Sequence, residues 1–344
     1  MKFAILGRTH WLLDALETCV NRGHQPVLIG TCPAAPEYRV NAGDFEAAAK
    51  QHHADYFCDT NINKRVYREQ IASSGAEIAL SINWTTLIKP EVFNAFKHGV
   101  VNAHAGDLPR FRGNACPNWA ILSGESQVVL SIHQMAEALD AGPIFLQRAV
   151  ELTDTTYVGD VYDFLDETIP ELMGDLLDGL QAGTLVARPQ SENPADALRC
   201  FPRRPEDNEI AWTESAAQIS RVVRAGSEPF SGAYTHLNGE RLAVWRARTE
   251  NIPYATLGYP GQVIEIRRNG EVAILTEEGA IVLEEVETET GWRGHPSEVI
   301  RSTRTRLGQH ASAEMERLRS EIAELKQQIT QLGAARTLPE ETTI

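Results

Sequence analysis

Apolar residues along this chain alternate between strand-like runs and helix-like spacing. Lys2–Leu6 is a short apolar run of strand length, and in residues 11–22 Leu12, Leu13, Leu16 and Val20 follow a helical period. Pro26–Ile29 predicts a second strand, Asp44–His52 an Ala-rich helix and Glu77–Ile82 a third strand. Pro90 opens a helix through Phe96, because proline suits the first helical turn. Gly99–His104 predicts a fourth strand. Asn114 is placed to cap a helix running to Leu122, with Gly124 just past its end. Gln127–Gln134 and Pro143–Val150 predict further strands, and residues 156–182 a helix rich in Leu and Asp. This alternation implies an α/β domain over residues 1–187, with parallel strands joined by crossover helices.

The pattern then breaks. Residues 188–209 carry several prolines, many polar groups and no period, and read as a linker. A second domain over residues 210–300 opens with a helix, Glu214–Ala225. Short strand-like runs follow, separated by turns at Asn238-Gly239, Asn269-Gly270 and Glu278-Gly279. Short strands with regular turns suggest a small antiparallel, β-barrel-like fold. In residues 306–333 the period changes again. Met315, Leu318, Ile322, Leu325, Ile329 and Leu332 are spaced 3, 4, 3, 4, 3, which is a coiled-coil heptad. Ile322 and Ile329 fall at one core position, and Leu318, Leu325 and Leu332 at the other. Glu314 and Glu321 fall at g, Arg319 and Lys326 at the following e, the places of interchain ion pairs in a parallel dimer. The alternative is a helix laid on its own domain. The residues after Gly333 read as a frayed tail.

Composition narrows the function. The chain has 344 residues and a net charge of −15. Phosphate contacts need concentrated Lys and Arg, so nucleic acid is a poor partner for it. No apolar stretch approaches the length of a membrane span, and the first residues read as a strand, not a signal peptide. Five scattered cysteines without a CxxC pattern fit reduced thiols in the cytoplasm and offer no metal site. There is no GxGxxG after the first strand, no GxxxxGK[ST], no GxSxG and no HExxH.

The informative stretch is Val100–Gly113 (VVNAHAGDLPRFRG). In a strand, Asn102 and His104 share one face. They sit at its C-terminal end, where open α/β sheets bind ligands. An amide steadies a developing oxyanion, and an imidazole moves a proton near neutral pH. Asp140, in LDAGPIF, would orient His104 and favour its charged form. By itself an Asn-x-His pair is a weak signal and reads first as a hydrogen-bonded histidine at a strand end.

A resemblance raises this pattern above the ordinary. Asn102-Ala103-His104, Leu108-Pro109, Arg112-Gly113 and Asp140-Ala141-Gly142 follow in the order seen in the folate-dependent formyltransferase superfamily. The chain is most similar to the methionyl-tRNA formyltransferase-like branch that includes sugar N-formyltransferases. The likeness extends through Arg204-Pro205-Glu206-Asp207, Trp212 and Pro260-Gly261, over roughly residues 1–290. It implies a Rossmann-like N-terminal domain that binds N10-formyltetrahydrofolate, with Asn102, His104 and Asp140 as the catalytic trio. It further implies a folate site formed by Asn83, Trp84, Thr85, Leu87 and Ile88 together with Leu139, Asp140 and Gly142. Where many relatives read Ser-Leu-Leu-Pro, this chain has Gly106-Asp107-Leu108-Pro109. Gly106 permits close backbone approach. Asp107 adds a carboxylate that either binds substrate or faces solvent. Arg8 and Arg112 are candidates for a substrate phosphate. Cys116 and His133 read as buried structural residues.

Among amine acceptors, a nucleotide-linked amino sugar needs only a pocket with a few positive or aromatic groups and fits best. Hydroxyornithine or another amino acid, and methionyl-tRNA, are the alternatives, and a water-accepting hydrolase is a variant. A reading of another class is an inactive folate-binding scaffold that dimerises through its coiled coil. The expected enzyme is a cytoplasmic homodimer without metal.

Overall fold

The computed structural model describes residues 1–35, 38–252, 256–308 and 311–335, without the side chains of 311–314, 316, 317 and 332–335. The chain divides into two compact units. One holds Met1–Asp207 with Arg224–Phe230, the other Asn208–Val223 with the chain from Ser231 onward.

The first unit runs β1 Lys2–Gly7, α1 His10–Asn21, β2 Gln25–Thr31, α2 Ala42–Gln51, β3 Asp55–Cys58, α3 Arg65–Ser74, β4 Ile78–Ile82, α4 Pro90–Phe93 and β5 Val100–His104. It continues with β6 Arg112–Gly113, α5 Cys116–Ser123, β7 Gln127–Gln134, β8 Ile144–Glu151, α6 Val158–Ala182 and β9 Arg199–Cys200. Its main sheet has the order β3-β2-β1-β4-β5-β7-β8. The strands β1 to β5 pair in parallel. β1 is covered on both faces, so its residues alternate between two cores. Phe3 and Ile5 pack with α1, α2 and α6, while Ala4 and Leu6 pack with Ile71 and Val92 on the opposite side. α6 closes the first core with a stripe that includes Leu165, Ile169, Leu172 and Leu176.

Five details depart from the pattern-based expectation. β3 and α3 were not anticipated: β3 is only four residues long, and α3 buries a single side chain, Ile71. α4 is a single turn, ending at Phe93 instead of Phe96. Asn114 does not cap α5; the cap position is Ala115, in the left-handed region with φ 52°, although Gly124 closes the helix as expected. The sheet is mixed, not wholly parallel, because β7 runs antiparallel to both β5 and β8. β7 and β8 are joined by a short connection with no helix, which allows only antiparallel pairing. Residues 188–207 belong to the first unit, and β9 pairs with β6.

The second unit contains α7 Ala216–Gly226 in part, then β10 Ala233–Leu237, β11 Glu240–Glu250, β12 Val263–Ile266, β13 Val272–Leu275, β14 Ala280–Thr288, β15 Arg293–Gly294 and α8 Ala311–Ala335. These strands form one antiparallel sheet in the order β10-β11-β14-β13-β12, with β15 on β14. Asn238 and Gly239 both have positive φ, the requirement of the tight turn that joins β10 to β11. Trp212 anchors this unit, buried and donating from Nε1 to Thr235 Oγ1 at 2.8 Å. α8 spans most of the predicted heptad segment. The side chains of Glu314 and Leu332, and the tail from 336, lie outside the described residues.

Candidate active site

The parallel strand order 3-2-1-4-5 reverses direction between β1 and β4, and such sheets bind ligands at the carboxyl ends of the strands around that point. Three of the predicted residues lie at those ends. Arg8 follows β1, Asn83 follows β4, and His104 ends β5. β5 pairs with β7 so that Asn102 stands opposite His133 and His104 opposite Ser131. Directly opposite residues share a sheet face, so both histidines and Asn102 project together. Asp140 reaches them from the β7–β8 loop, with its backbone at φ 49°. Its Oδ2 lies 3.7 Å from His104 Nδ1, and its Oδ1 lies 3.7 Å from His133 Nε2. The side chains of His104, His133 and Asp140 are 9%, 2% and 12% exposed, so the cluster is largely shielded from solvent.

The hydrogen bonds assign the proton on each ring. A backbone carbonyl only accepts, so His104 Nε2 carries a hydrogen and donates to Phe111 O at 2.6 Å. In the neutral ring the lone pair is therefore on Nδ1, facing Asp140. Gly106 makes this possible: a Cβ there would lie 2.3 Å from Phe111 O and 2.6 Å from His104 Nε2. His133 has the opposite tautomer. Its Nδ1 donates to Gln134 O at 3.0 Å, which leaves Nε2 to accept from Asn102 Nδ2 at 3.4 Å. Burial, followed by the charge of His104, pushes the His133 pKa well below the usual histidine range against the pull of Asp140. A neutral His133 thus orients the Asn102 amide. Cys116 donates from Sγ to the same Phe111 carbonyl at 3.0 Å. Burial first, and Cys200 second, push its pKa up, so it stays a thiol and is no nucleophile.

Asp140 is held from three directions. Its Oδ2 accepts from the Gly113 N–H at 2.8 Å. Gln190 Nε2 donates to Asp140 O at 2.8 Å and to Gly142 O at 2.7 Å, while Gln190 Oε1 accepts from Arg112 at 2.6 Å. Gly142 lies so close to Gln134 that a Cβ would sit 1.8 Å from its carbonyl oxygen. Beside this loop runs an open cleft of about 510 Å³, lined by Arg112, Ala141, Pro143, Gln190, Pro194 and Ala197 among others.

The remaining predicted residues are spread over two places. At the β1 and β4 ends, Arg8 Nε donates to Asn83 O at 3.1 Å, and its guanidinium lies 5.0 Å from the Tyr38 ring centroid. Asn83, at φ 54°, donates to the Tyr38 hydroxyl at 3.3 Å. Trp84 is partly buried, and Thr85 and Leu87 are exposed, Leu87 at 73%. Ile88 instead points into the core with Val92 and Phe96. Leu139, 48% exposed, stands beside Asp140 in the sequence. Arg112 lies on the Asp140 side and shares no hydrogen-bond partner with Arg8 among the described residues. Asp107 is partly buried; the hydrogen bond to Glu125 raises the Arg110 pKa most, and the charge of Asp107 adds a smaller share. Among the described residues, no group of three His, Cys, Asp or Glu is placed to hold a metal ion.

Sequence reading missed two members of the cluster. His133 was legible in part, since Ser131 and His133 interrupt an apolar strand at alternate positions. Gln190 gave no signal inside an aperiodic segment.

Comparison with known proteins supplies the family. A family model described as formyl transferase matches residues 1–176, and one described as formyl transferase, C-terminal domain, matches residues 203–304. A methionyl-tRNA formyltransferase of Geobacter sulfurreducens is 26% identical over 323 residues, covering 91% of this chain and 99% of that protein. The crystal structure of an N-formyltransferase from Helicobacter canadensis, with folinic acid and dTDP-3-aminofucose, is similar with a TM-score of 0.62. It has 15% identity, over 82% of this chain and 98% of that one. HypX from Aquifex aeolicus, in complex with tetrahydrofolic acid, is similar with a TM-score of 0.56 and 17% identity over 88% of this chain. This chain spans about half of HypX, 47% of its length.

Proposed function

This chain belongs to the formyl transferase family, and from that premise we propose that it moves a formyl group from N10-formyltetrahydrofolate to the amine of a nucleotide-linked amino sugar. N-Formyl transfer is the family's chemistry. The observation that carries the reading is the strand face shared by Asn102 and His104, with Asp140 reaching His104 from the β7–β8 loop.

Formyl-folate, when bound, supplies the formyl carbon. The exposed apolar side chains of Leu87, on the segment that carries Asn83, Trp84 and Thr85, and of Leu139, next to Asp140 in the chain, suit a flat aromatic ligand with polar edges. Ile88 contributes from the core behind them. At the reacting end, an amine must lose a proton while negative charge gathers on the formyl oxygen. Asn102, its amide steered by His133, presents an N–H to that oxygen. His104 Nδ1 holds the free lone pair, takes the amine proton, and would return it to the folate N10 as the formyl C–N10 bond breaks and tetrahydrofolate leaves. Asp140, 3.7 Å away, compensates the imidazolium that results. Gly113 and Gln190 keep Asp140 in place.

The acceptor follows from charge and from relatives. A net charge of −15 opposes the polyphosphate surface of tRNA. The Helicobacter canadensis relative carries dTDP-3-aminofucose, and Arg8 and Arg112 are the cations here that suit a diphosphate. Methionyl-tRNA is the second reading, favoured by the nearly full-length match to a methionyl-tRNA formyltransferase. All five cysteines are free thiols, which supports a reducing compartment, the cytoplasm. No described helix is long and apolar enough to cross a membrane.

The test is tetrahydrofolate release from N10-formyltetrahydrofolate against nucleotide-linked amino sugars, hydroxyornithine and charged initiator tRNA. Release that depends on a nucleotide-sugar is expected. Release driven by tRNA alone would transfer the assignment to the second reading, and release without acceptor would make the protein a hydrolase.

A further inference from the structure

We propose that α8 pairs with α8 of a second copy of this chain as a parallel, two-stranded coiled coil. The described seam residues Met315, Leu318, Ile322, Leu325 and Ile329 are 53%, 43%, 50%, 57% and 68% exposed. The described residues leave this seam uncovered. On α6, by contrast, Leu172, Leu176 and Leu177 are at most 3% exposed. An amphipathic helix draws most of its stability from packing its apolar face, so the exposed seam of α8 calls for a partner helix.

The residues specify which partner. Ile322 and Ile329 at the a position, with Leu318 and Leu325 at d, favour two strands over three or four. The flanks carry one sign each: Glu314 and Glu321 at g, Arg319 and Lys326 at e. In a parallel pair of identical helices, g of one copy meets the next e of the other. Glu321 then meets Lys326, a pair that occurs twice by symmetry. In an antiparallel pair g faces g and e faces e, which sets glutamate against glutamate and cation against cation. A foreign helix would have to reproduce this pattern, whereas a second copy already has it.

Light scattering and sedimentation of the full-length chain across a concentration series test the proposal. The wild type is expected to be a dimer and Ile322→Asp a monomer. The thermal transition of Ile322→Asp should be unchanged, because position 322 is solvent-facing within the chain. Glu321→Lys and Lys326→Glu should each weaken the dimer by roughly tenfold, since each turns two attractions into repulsions. Combining the two should restore it. A monomeric wild type at every concentration overturns the proposal, and so does an Ile322→Asp chain that stays dimeric. A combined variant no tighter than the weaker single variant overturns the parallel pairing.

Discussion

His104 commits one ring nitrogen to the Phe111 carbonyl and leaves the other beside Asp140, so the side that accepts a proton is decided by a backbone contact. His104→Ala should lower kcat by about 10²–10⁴-fold, while formyl-folate analogue binding, measured by calorimetry, changes little. Activity within a few-fold of wild type would remove His104 as the base. His133 makes a prediction of opposite kind. Its folded pKa lies below its value in the unfolded chain, so the unfolded state takes up the proton first as pH falls. The neutral ring is therefore no burden at high pH, and stability is lost progressively below about pH 6.5. Melting temperatures of wild type and His133→Gln, compared from about pH 7 down to about pH 5, should show a steeper fall for the wild type. Equal slopes would mean that His133 is not held neutral by its surroundings.

The elements around the site differ in how they were fixed. β1 and β4 were readable because a strand covered on both faces is largely apolar, and β5 because it opens the same way at Val100-Val101. α1 and α6 were readable because a stripe that faces one core repeats every three to four residues. β3 and α3 are edge elements with little to bury, and their pattern is correspondingly weak. The segment after α6 had no period at all, yet Gln190 binds two carbonyls of the Asp140 loop and β9 pairs with β6. Its order comes from partners about fifty residues away in the chain, which local propensity does not register. Gln190→Ala should free the loop and lower kcat by roughly tenfold, with a thermal transition within a few degrees of wild type. An unchanged kcat would show that Gly113 and Gly142 suffice to place Asp140.

For the whole molecule, charge is the property with the widest reach. With 47 Asp and Glu against 32 Lys and Arg, long-range attraction of a polyanionic acceptor is absent. A small nucleotide-sugar meets only local cations such as Arg8 and Arg112. Its kcat/KM should change by less than roughly tenfold between about 50 and about 200 mM salt, whereas an acceptor bound through many phosphates loses about 10³–10⁵ in affinity over that range. A steep salt dependence with the true acceptor would favour a nucleic-acid substrate.

By itself the sequence determined the periods and therefore the kinds of element, the acidic balance, the heptad seam, and Asn102 beside His104 on one strand face. These are properties of residues close together in the chain, where backbone geometry alone fixes what faces what. The tertiary structure decided that β7 would run antiparallel beside β5, and this one pairing brings His133 opposite Asn102. It also decided which nitrogen of each histidine carries the proton, because that depends on carbonyls of Phe111 and Gln134 placed by the turns around them. The hold on Asp140 was decided in the same way, by Gly113 and Gln190 converging from opposite directions along the chain. Contacts between distant segments cost chain entropy to close and leave no periodic trace, so only the folded chain reveals them.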